Sequence, residues 1–332
     1  GNTQAAAITG VPAIALPELG QRLGDLADRF YQTPSRDLTV VGVTGTNGKT
    51  SCTHFLAQAL CGAVPSGVIG TLGWGSLVHL EPTEHTTPNA LEMHRMLAAM
   101  RDSGYHAVAI EASSHGQVQG RLNGIRIKTA LYTNFSRDHL DYHGDMQAYQ
   151  EAKLGLLDAP GLESVVFNAD DAMAAAILSR KKTALQAVGF STQHPNNGQS
   201  FPLLTASDLR QDVEGLSFTA HYRQQSVGVQ VPVFGCFNQQ NILATMAVLL
   251  GMGYSLSDAA TAVHRVRPVS GRMEHYFGQG RNVVVDYAHS PDALKNVLES
   301  LRPLCKGHLW LVFGCGRSAR ADRRQPQDGK RR

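Results

Sequence analysis

The stretch Gly42-Val43-Thr44-Gly45-Thr46-Asn47-Gly48-Lys49-Thr50 constrains this chain more than any other. It follows the apolar run Leu38-Thr39-Val40-Val41 and leads into a helix-like segment, Ser51 to Leu60. A strand, a glycine-rich turn and a helix opening on Lys-Thr form the layout of a nucleotide phosphate cradle. Glycines let backbone N–H groups turn toward phosphate oxygens, and the helix N-terminus adds its dipole. In such a cradle Thr46, Asn47, Gly48 and Ser51 line the loop, Lys49 reaches the terminal phosphates, and the Thr50 hydroxyl coordinates Mg²⁺. The strict pattern has glycine at position 43, where this chain has valine, so the loop is a variant. ATP is the expected ligand; the competing reading is a tight strand-to-helix turn with an incidental lysine.

At 332 residues the chain is long enough for two or three domains, each with its own core. Apolar residues make up 42% and charged residues 17%, the balance of a globular protein. No apolar run approaches the roughly 18 residues that span a bilayer, so no membrane partner is expected. No charged-then-apolar leader follows Gly1, and the missing initiator methionine predicts a start further upstream. The five cysteines are scattered and lack CxxC spacing, which argues against a disulfide framework or a zinc site and for a reducing cytoplasm. The net charge of +3 belongs to the end of the chain: residues 317–332 carry seven Lys/Arg and two Asp, or +5, leaving −2 elsewhere. No aromatic residue is interleaved in that tail for base stacking, so nucleic acid is not an expected partner.

Strands and helices alternate along the chain. A short strand (Val11 to Leu16) and a helix (about Pro17 to Tyr31) precede a boundary at Pro34-Ser35. After the loop come a strand at Val68-Ile69-Gly70, a polar loop, and a helix from Ala90 to Ser103 with Leu91, Met96, Leu97 and Met100 as its core stripe. The apolar runs 106–110, 130–133 and 164–167 have the composition of strands buried in a parallel sheet, and helices are expected over 146–157 and 171–180. From Gln193 to Val233 shorter alternating segments predict an antiparallel addition. Helices over 238–250 and 257–266 follow, then strand 283–285, helix 291–301 and strand 309–313. The fold class is α/β, a parallel sheet with helices on both faces. Ligands of such sheets gather beyond the carboxyl ends of the strands, where Lys49, Thr50, Glu111, Asn134, Asp138 and His139 fall. A carboxylate and an imidazole beside the phosphate loop point to Mg²⁺ ligands.

Thr86-Thr87-Pro88, Glu111-Ala112-Ser113-Ser114-His115, the run from Asn134 to Gly144 and Ala152-Lys153 resemble successive signatures of the Mur ligases. Phe237-Asn238-Gln239-Gln240-Asn241, Ser270-Gly271-Arg272-Met273-Glu274 and the run Asp286 to Leu294 continue the series, which covers roughly residues 10–316. The order and spacing most resemble the branch that adds the third residue of the peptidoglycan stem peptide. The resemblance implies an ATP-dependent amide ligase. The γ-carboxylate of UDP-N-acetylmuramoyl-L-alanyl-D-glutamate takes a phosphoryl group, and a diamino acid, diaminopimelate rather than lysine, displaces phosphate. It further implies catalytic roles for Lys49, His139 and Lys153, with Thr50, Glu111, His139 and a CO₂-derived carbamate on Lys153 holding Mg²⁺. Thr86, Thr87, Ser113, Gln119 and Arg121 match positions that hold the muramoyl-peptide. Asn238 and Asn241 match the adenine side, while Arg272, Asp286 and His289 match residues that close over ribose and phosphates. A monomer is expected.

The resemblance also has gaps. Residues 1–35 match only the last strand and helix of a UDP-binding domain, residues 36–269 a central ATP-binding domain, and residues 270–316 part of a C-terminal domain. After Gly316 the text turns Arg-rich and unpatterned, as a frameshift would make it, and the Asp-Asn-Pro-Arg motif of the diaminopimelate-adding branch is absent. The partial third domain is expected to leave an open parallel edge and an uncovered apolar face, and the tail 317–332 to be disordered. With the UDP grip and the amine-binding domain incomplete, little or no turnover is expected of the chain as written, and two alternatives stand beside the ligase: a remnant that binds nucleotide only, and a folylpolyglutamate synthetase-like ligase. The double Thr-Pro motif and the run Ser136 to Gly144 argue against the latter.

Overall fold

The computed structural model describes residues 16–193, 200–212, 214–278 and 281–314. The strand expected from Val11 and the tail 317–332 lie outside these described residues. The strands are β1 Thr39–Thr44, β2 Ser66–Gly70, β3 Gly73–Gly75, β4 Leu80–Glu81, β5 Ala107–Glu111, β6 Thr129–Tyr132, β7 Ser164–Asn168, β8 Gln186–Ser191, β9 Leu203–Asp212, β10 Gly215–Tyr222, β11 Gln225–Val231, β12 Glu274–Gly278 and β13 Arg281–Val285. The helices are α1 Leu19–Phe30, α2 Lys49–Leu60, α3 Ala90–Asp102, α4 Ser114–Val118, α5 Leu140–His143, α6 Met146–Leu154, α7 Met173–Arg180, α8 Asn238–Gly251, α9 Leu256–Val263 and α10 Pro291–Leu301.

Strands β1 to β11 form one sheet in the order β11-β10-β9-β8-β7-β6-β1-β5-β2-β3-β4. From β2 to β9 every neighbouring pair is parallel, and antiparallel pairs close both ends. The antiparallel addition thus exists, but its first strand, β9, joins β8 in parallel. The hairpin β3–β4 stands where the sequence reading has only a polar loop.

Alternation along the strands sorts side chains to two faces. Val41 and Val43 of β1, with Ala107 and Ala109 of β5, pack against Phe55 and Leu56 of α2 and against α8 and α9. Val40, Val108, Ile110 and Ala130 point the other way, onto Met93, Leu97 and Met100 of α3. The α3 stripe runs through Met93 rather than Leu91, which is 42% exposed, because positions i, i+4 and i+7 from Met93 share one face. Helix α8 is buried over nearly its whole surface, which suits the mostly apolar run Ile242 to Leu250 that follows its polar first turn.

Helix α1 is seated on α3. At Gly24 the helix also meets the turn before β6: a Cβ there would stand 2.2 Å from the Asn123 carbonyl oxygen. The helix's exit is tied down by Arg101, whose Nη1 donates to Tyr31 O at 3.3 Å and Gln32 O at 3.1 Å. Gly24→Ala is expected to destabilise the fold by about 1–3 kcal/mol, the usual cost of overpacking, as read by denaturant unfolding. An unchanged midpoint would mean that α1 is not held by this contact.

Beyond Ser270 two expectations are corrected. Strands β12 and β13 pair antiparallel with each other, so no parallel edge is formed there among the described residues. Residues 309–313 are not a strand. Their composition is strand-like, but a strand needs a neighbour for its N–H and C=O groups, and none of the described residues supplies one. The uncovered apolar face is present: Phe277 is 78% exposed, Trp310 85%, Val312 95% and Phe313 71%.

Candidate active site

The chain changes direction around β1, which has β5 on one side and β6 on the other. Beyond the carboxyl ends of these strands opens a cleft of about 470 Å³. The loop after β1 forms its floor, and Gly48 at φ 84° caps α2 in the left-handed region that glycine tolerates. A Cβ at Gly45 would sit 1.8 Å from Thr133 Oγ1, and one at Gly48 would sit 2.6 Å from Asn241 Oδ1, so neither position accepts a larger residue. The loop is braced by the segment after β6. Thr46 N donates to Asn134 O at 2.9 Å, Asn47 N to Asn134 Oδ1 at 2.8 Å, and Thr133 Oγ1 to Asn47 O at 2.6 Å.

Two amines meet at one carbonyl, that of Lys153 buried and that of Lys49 half-buried. Lys49 Nζ donates to Gly45 O at 2.8 Å and Thr46 O at 2.9 Å, and Lys153 Nζ donates to the same Gly45 O at 2.8 Å. Lys153, on α6, is 1% exposed and lies 4.4 Å from the centre of the Tyr149 ring. Burial first, and the nearby Lys49 second, hold its pKa well below the ordinary lysine range. Burial also lowers Lys49, with Glu111 and Asp138 opposing.

Glu111 ends β5 and is 1% exposed. Its Oε1 accepts from Thr71 N at 2.8 Å and from Thr50 Oγ1 at 3.0 Å. Burial raises its pKa against these bonds and the Lys49 charge. Arg272 Nη2 donates to Thr50 Oγ1 at 3.2 Å, and its guanidinium lies 4.6 Å from the Tyr287 ring centre.

Thr87 Oγ1 donates to Glu111 O at 2.6 Å and lies 2.9 Å from Ser113 Oγ, which caps α4. Arg121 Nη1 donates to Thr87 O at 2.7 Å, while its Nε and Nη2 grip Gln119 Oε1 at 2.9 and 2.6 Å. His139 has φ 52°, a left-handed conformation rare outside glycine. Its N–H donates to Asp138 Oδ1 at 2.8 Å, and its Nε2 lies 3.5 Å from Asp138 Oδ2. The His139 ring meets His115 edge-on at 4.8 Å, and burial lowers the pKa of both imidazoles.

Most sequence-assigned residues therefore line one cleft: Thr46 to Ser51, Thr86, Thr87, Glu111, Ser113, Gln119, Arg121, His139, Lys153, Arg272 and His289. Three do not. Asn238 and Asn241 are buried behind the loop, where Asn241 Nδ2 donates to Asn238 Oδ1 at 2.7 Å and Asn238 Nδ2 to Phe234 O at 2.6 Å. Asp286 accepts from Met273 N at 2.8 Å and so fixes the turn that carries Arg272. Asp138, placed at this edge by the sequence, also lines the cleft, and sequence reading assigned no role to Thr71, His115, Tyr287 and His85, which share the lining.

The donors fit a phosphate chain with a hard cation. The glycine-rich loop, the Lys49 ammonium and the Arg272 guanidinium share the lining, and a hydroxyl and a carboxylate lie 3.0 Å apart. Among the described residues no three His, Cys, Asp or Glu gather around a metal position. Mg²⁺ needs no such cage, since it takes one or two protein oxygens and fills its sphere with phosphate and water.

Residues 43–249 match the Mur ligase middle domain, and residues 271–329 match the Mur ligase glutamate ligase domain. The second match runs past Gly316, where sequence reading expects the resemblance to end. A curated relative from Alkalilimnicola ehrlichii, UDP-N-acetylmuramoyl-L-alanyl-D-glutamate–2,6-diaminopimelate ligase, is 44% identical over 315 residues. That alignment covers 94% of this chain and 62% of the relative, so the chain spans about three fifths of that relative's length. A solved diaminopimelate ligase of the same name superposes with a TM-score of 0.78 at 35% identity, covering 92% of this chain and 63% of that one. Folylpolyglutamate synthase from Mycobacterium tuberculosis gives a TM-score of 0.67 at 16% identity, over 84% of this chain and 70% of that one, a likeness of fold alone.

Proposed function

The chain belongs to the Mur ligase family, and on that premise we propose that it serves ATP-dependent amide ligation in peptidoglycan precursor synthesis. The acid substrate is UDP-N-acetylmuramoyl-L-alanyl-D-glutamate and the amine is diaminopimelate, the pair in the names of its relatives. The observation that carries this reading is the meeting of Lys49, Thr50–Glu111 and Lys153 around one phosphate loop, beside a polar wall of Thr86, Thr87, Ser113 and Arg121. Residues 1–35 are read as the end of a UDP-binding domain, 36–269 as the ATP-binding domain and 270–316 as part of the third domain. Among the described residues no helix is long and apolar enough to cross a membrane. A cytoplasmic monomer is part of this proposal.

ATP with Mg²⁺, when bound, supplies the phosphoryl group that turns the γ-carboxylate into an acyl phosphate open to amine attack. Phosphoryl transfer asks a protein mainly for positioning and charge neutralisation. Lys49 and the loop N–H groups serve the phosphates, and Thr50 and Glu111 would hold the cation. Arg272, stacked on Tyr287, brings a second positive charge to Thr50 from the far side of the cleft. Arg121 offers a fork of donors to a substrate carboxylate, already oriented by Gln119 and Thr87 O. Lys153 shares Gly45 O with Lys49, so a neutral amine is favoured there. A neutral amine is what a CO₂-derived carbamate requires, and that carbamate would place an anion where a cation would oppose Mg²⁺. The test is product analysis by mass spectrometry with ATP, offering the UDP-linked acid with either diaminopimelate or lysine and, in parallel, a folate with glutamate. A diaminopimelate adduct supports the reading; a glutamate adduct on a folate, with none on the UDP-linked acid, would replace it.

A further inference from the structure

We propose that Thr71 is a positioning residue that couples the nucleotide side of the cleft to its acid-substrate side. The inference rests on the ligase reading above. Thr71 follows β2 and lies between two groups assigned to different ligands. Its N–H donates to Glu111 Oε1 at 2.8 Å, while its hydroxyl oxygen lies 3.3 Å from Glu111 Oε2 and 3.0 Å from Thr86 Oγ1. On the other edge of the carboxylate stands Thr50, 3.0 and 3.1 Å from its two oxygens, and Arg272 donates to Thr50 at 3.2 Å. The result is an unbroken chain from Arg272 through Thr50, Glu111 and Thr71 to Thr86.

A hydroxyl carries one hydrogen. Thr71 gives it to Glu111 or to Thr86, and not fully to both. An amide N–H of the acid substrate that donates to Thr86 Oγ1 takes the acceptor that Thr71 otherwise uses, and Thr71 then donates to Glu111 alone. Bonds to a charged acceptor are stronger than those between neutral groups. The exchange therefore fixes the carboxylate that orients Thr50, and nucleotide and acid each bind more tightly in the other's presence. Linkage makes the effect equal in both directions.

The experiment titrates the chain with Mg²⁺ and a non-hydrolysable ATP analogue, with and without UDP-N-acetylmuramoyl-L-alanyl-D-glutamate. The acid is expected to raise nucleotide affinity roughly tenfold, within the usual range of such couplings. Thr71→Val keeps the backbone donor and loses the hydroxyl, and the ratio of the two affinities is expected to fall to within about twofold. Thr71→Ser is expected to restore it, which a purely structural role for the side chain does not predict. Equal coupling in Thr71→Val, or no coupling in the unaltered chain, overturns the inference and leaves the ligase reading standing. Failure of the unaltered chain to bind the nucleotide overturns both.

Discussion

Lys49→Ala is expected to weaken ATP binding by roughly 10- to 100-fold, since a hydrogen bond to a charged group contributes about 1.5–3 kcal/mol and each 1.4 kcal/mol is tenfold. The residue opens α2 and its ammonium folds onto Gly45 O and Thr46 O, within the loop that would cradle the phosphates. Alanine removes the charge and also leaves two loop carbonyls without that donor, so both affinity and loop order fall. Lys49→Arg is not expected to rescue, because the broad guanidinium fork does not replace a compact ammonium in so closed a site. Calorimetric titration with Mg²⁺–ATP reads the effect, and circular dichroism checks that the fold persists. Affinity within about threefold of the unaltered chain would remove Lys49 from the phosphate site and with it the cradle assignment.

The second large effect is expected at Lys153. In bicarbonate buffer, gentle mass spectrometry is expected to find one added CO₂ on the peptide that carries Lys153, and none after Lys153→Ala. The substitution is expected to lower amide formation by on the order of a hundredfold or more, as loss of one preorganised electrostatic group does. The structural reason is the crowding of two amines, one of them buried, on Gly45 O. Such crowding favours either a neutral amine or its conversion to an anion. A full rate in Lys153→Ala, with no adduct on the unaltered chain, would reduce Lys153 to a buried donor for Gly45 O.

What the sequence revealed and what it concealed follow from range. The phosphate loop is legible because strand, turn and helix lie within a few residues, and glycine is demanded by contacts that recur in such turns. The end of β5 at Glu111 is legible because a short apolar run stops at a carboxylate. Thr71 gives no signal of its own: only folding brings β2 beside β5 and sets its N–H on Glu111. His115 is hidden for the same reason, since its ring partners His139, Tyr142 and His143 come from a later segment. Asn238 and Asn241 open α8 as the sequence indicates, but the bond between their side chains, three residues apart, shows only in the folded chain. The hairpin β12–β13 was half seen, because Glu274 to Gly278 reads as the end of a motif rather than as a strand.

The most direct test of the account is ADP release by the chain with Mg²⁺–ATP, measured with and without UDP-N-acetylmuramoyl-L-alanyl-D-glutamate. Release is expected to depend on the acid and to disappear in Lys49→Ala. ADP release at the same rate without the acid, or none with it, would contradict a cleft built to phosphorylate that carboxylate.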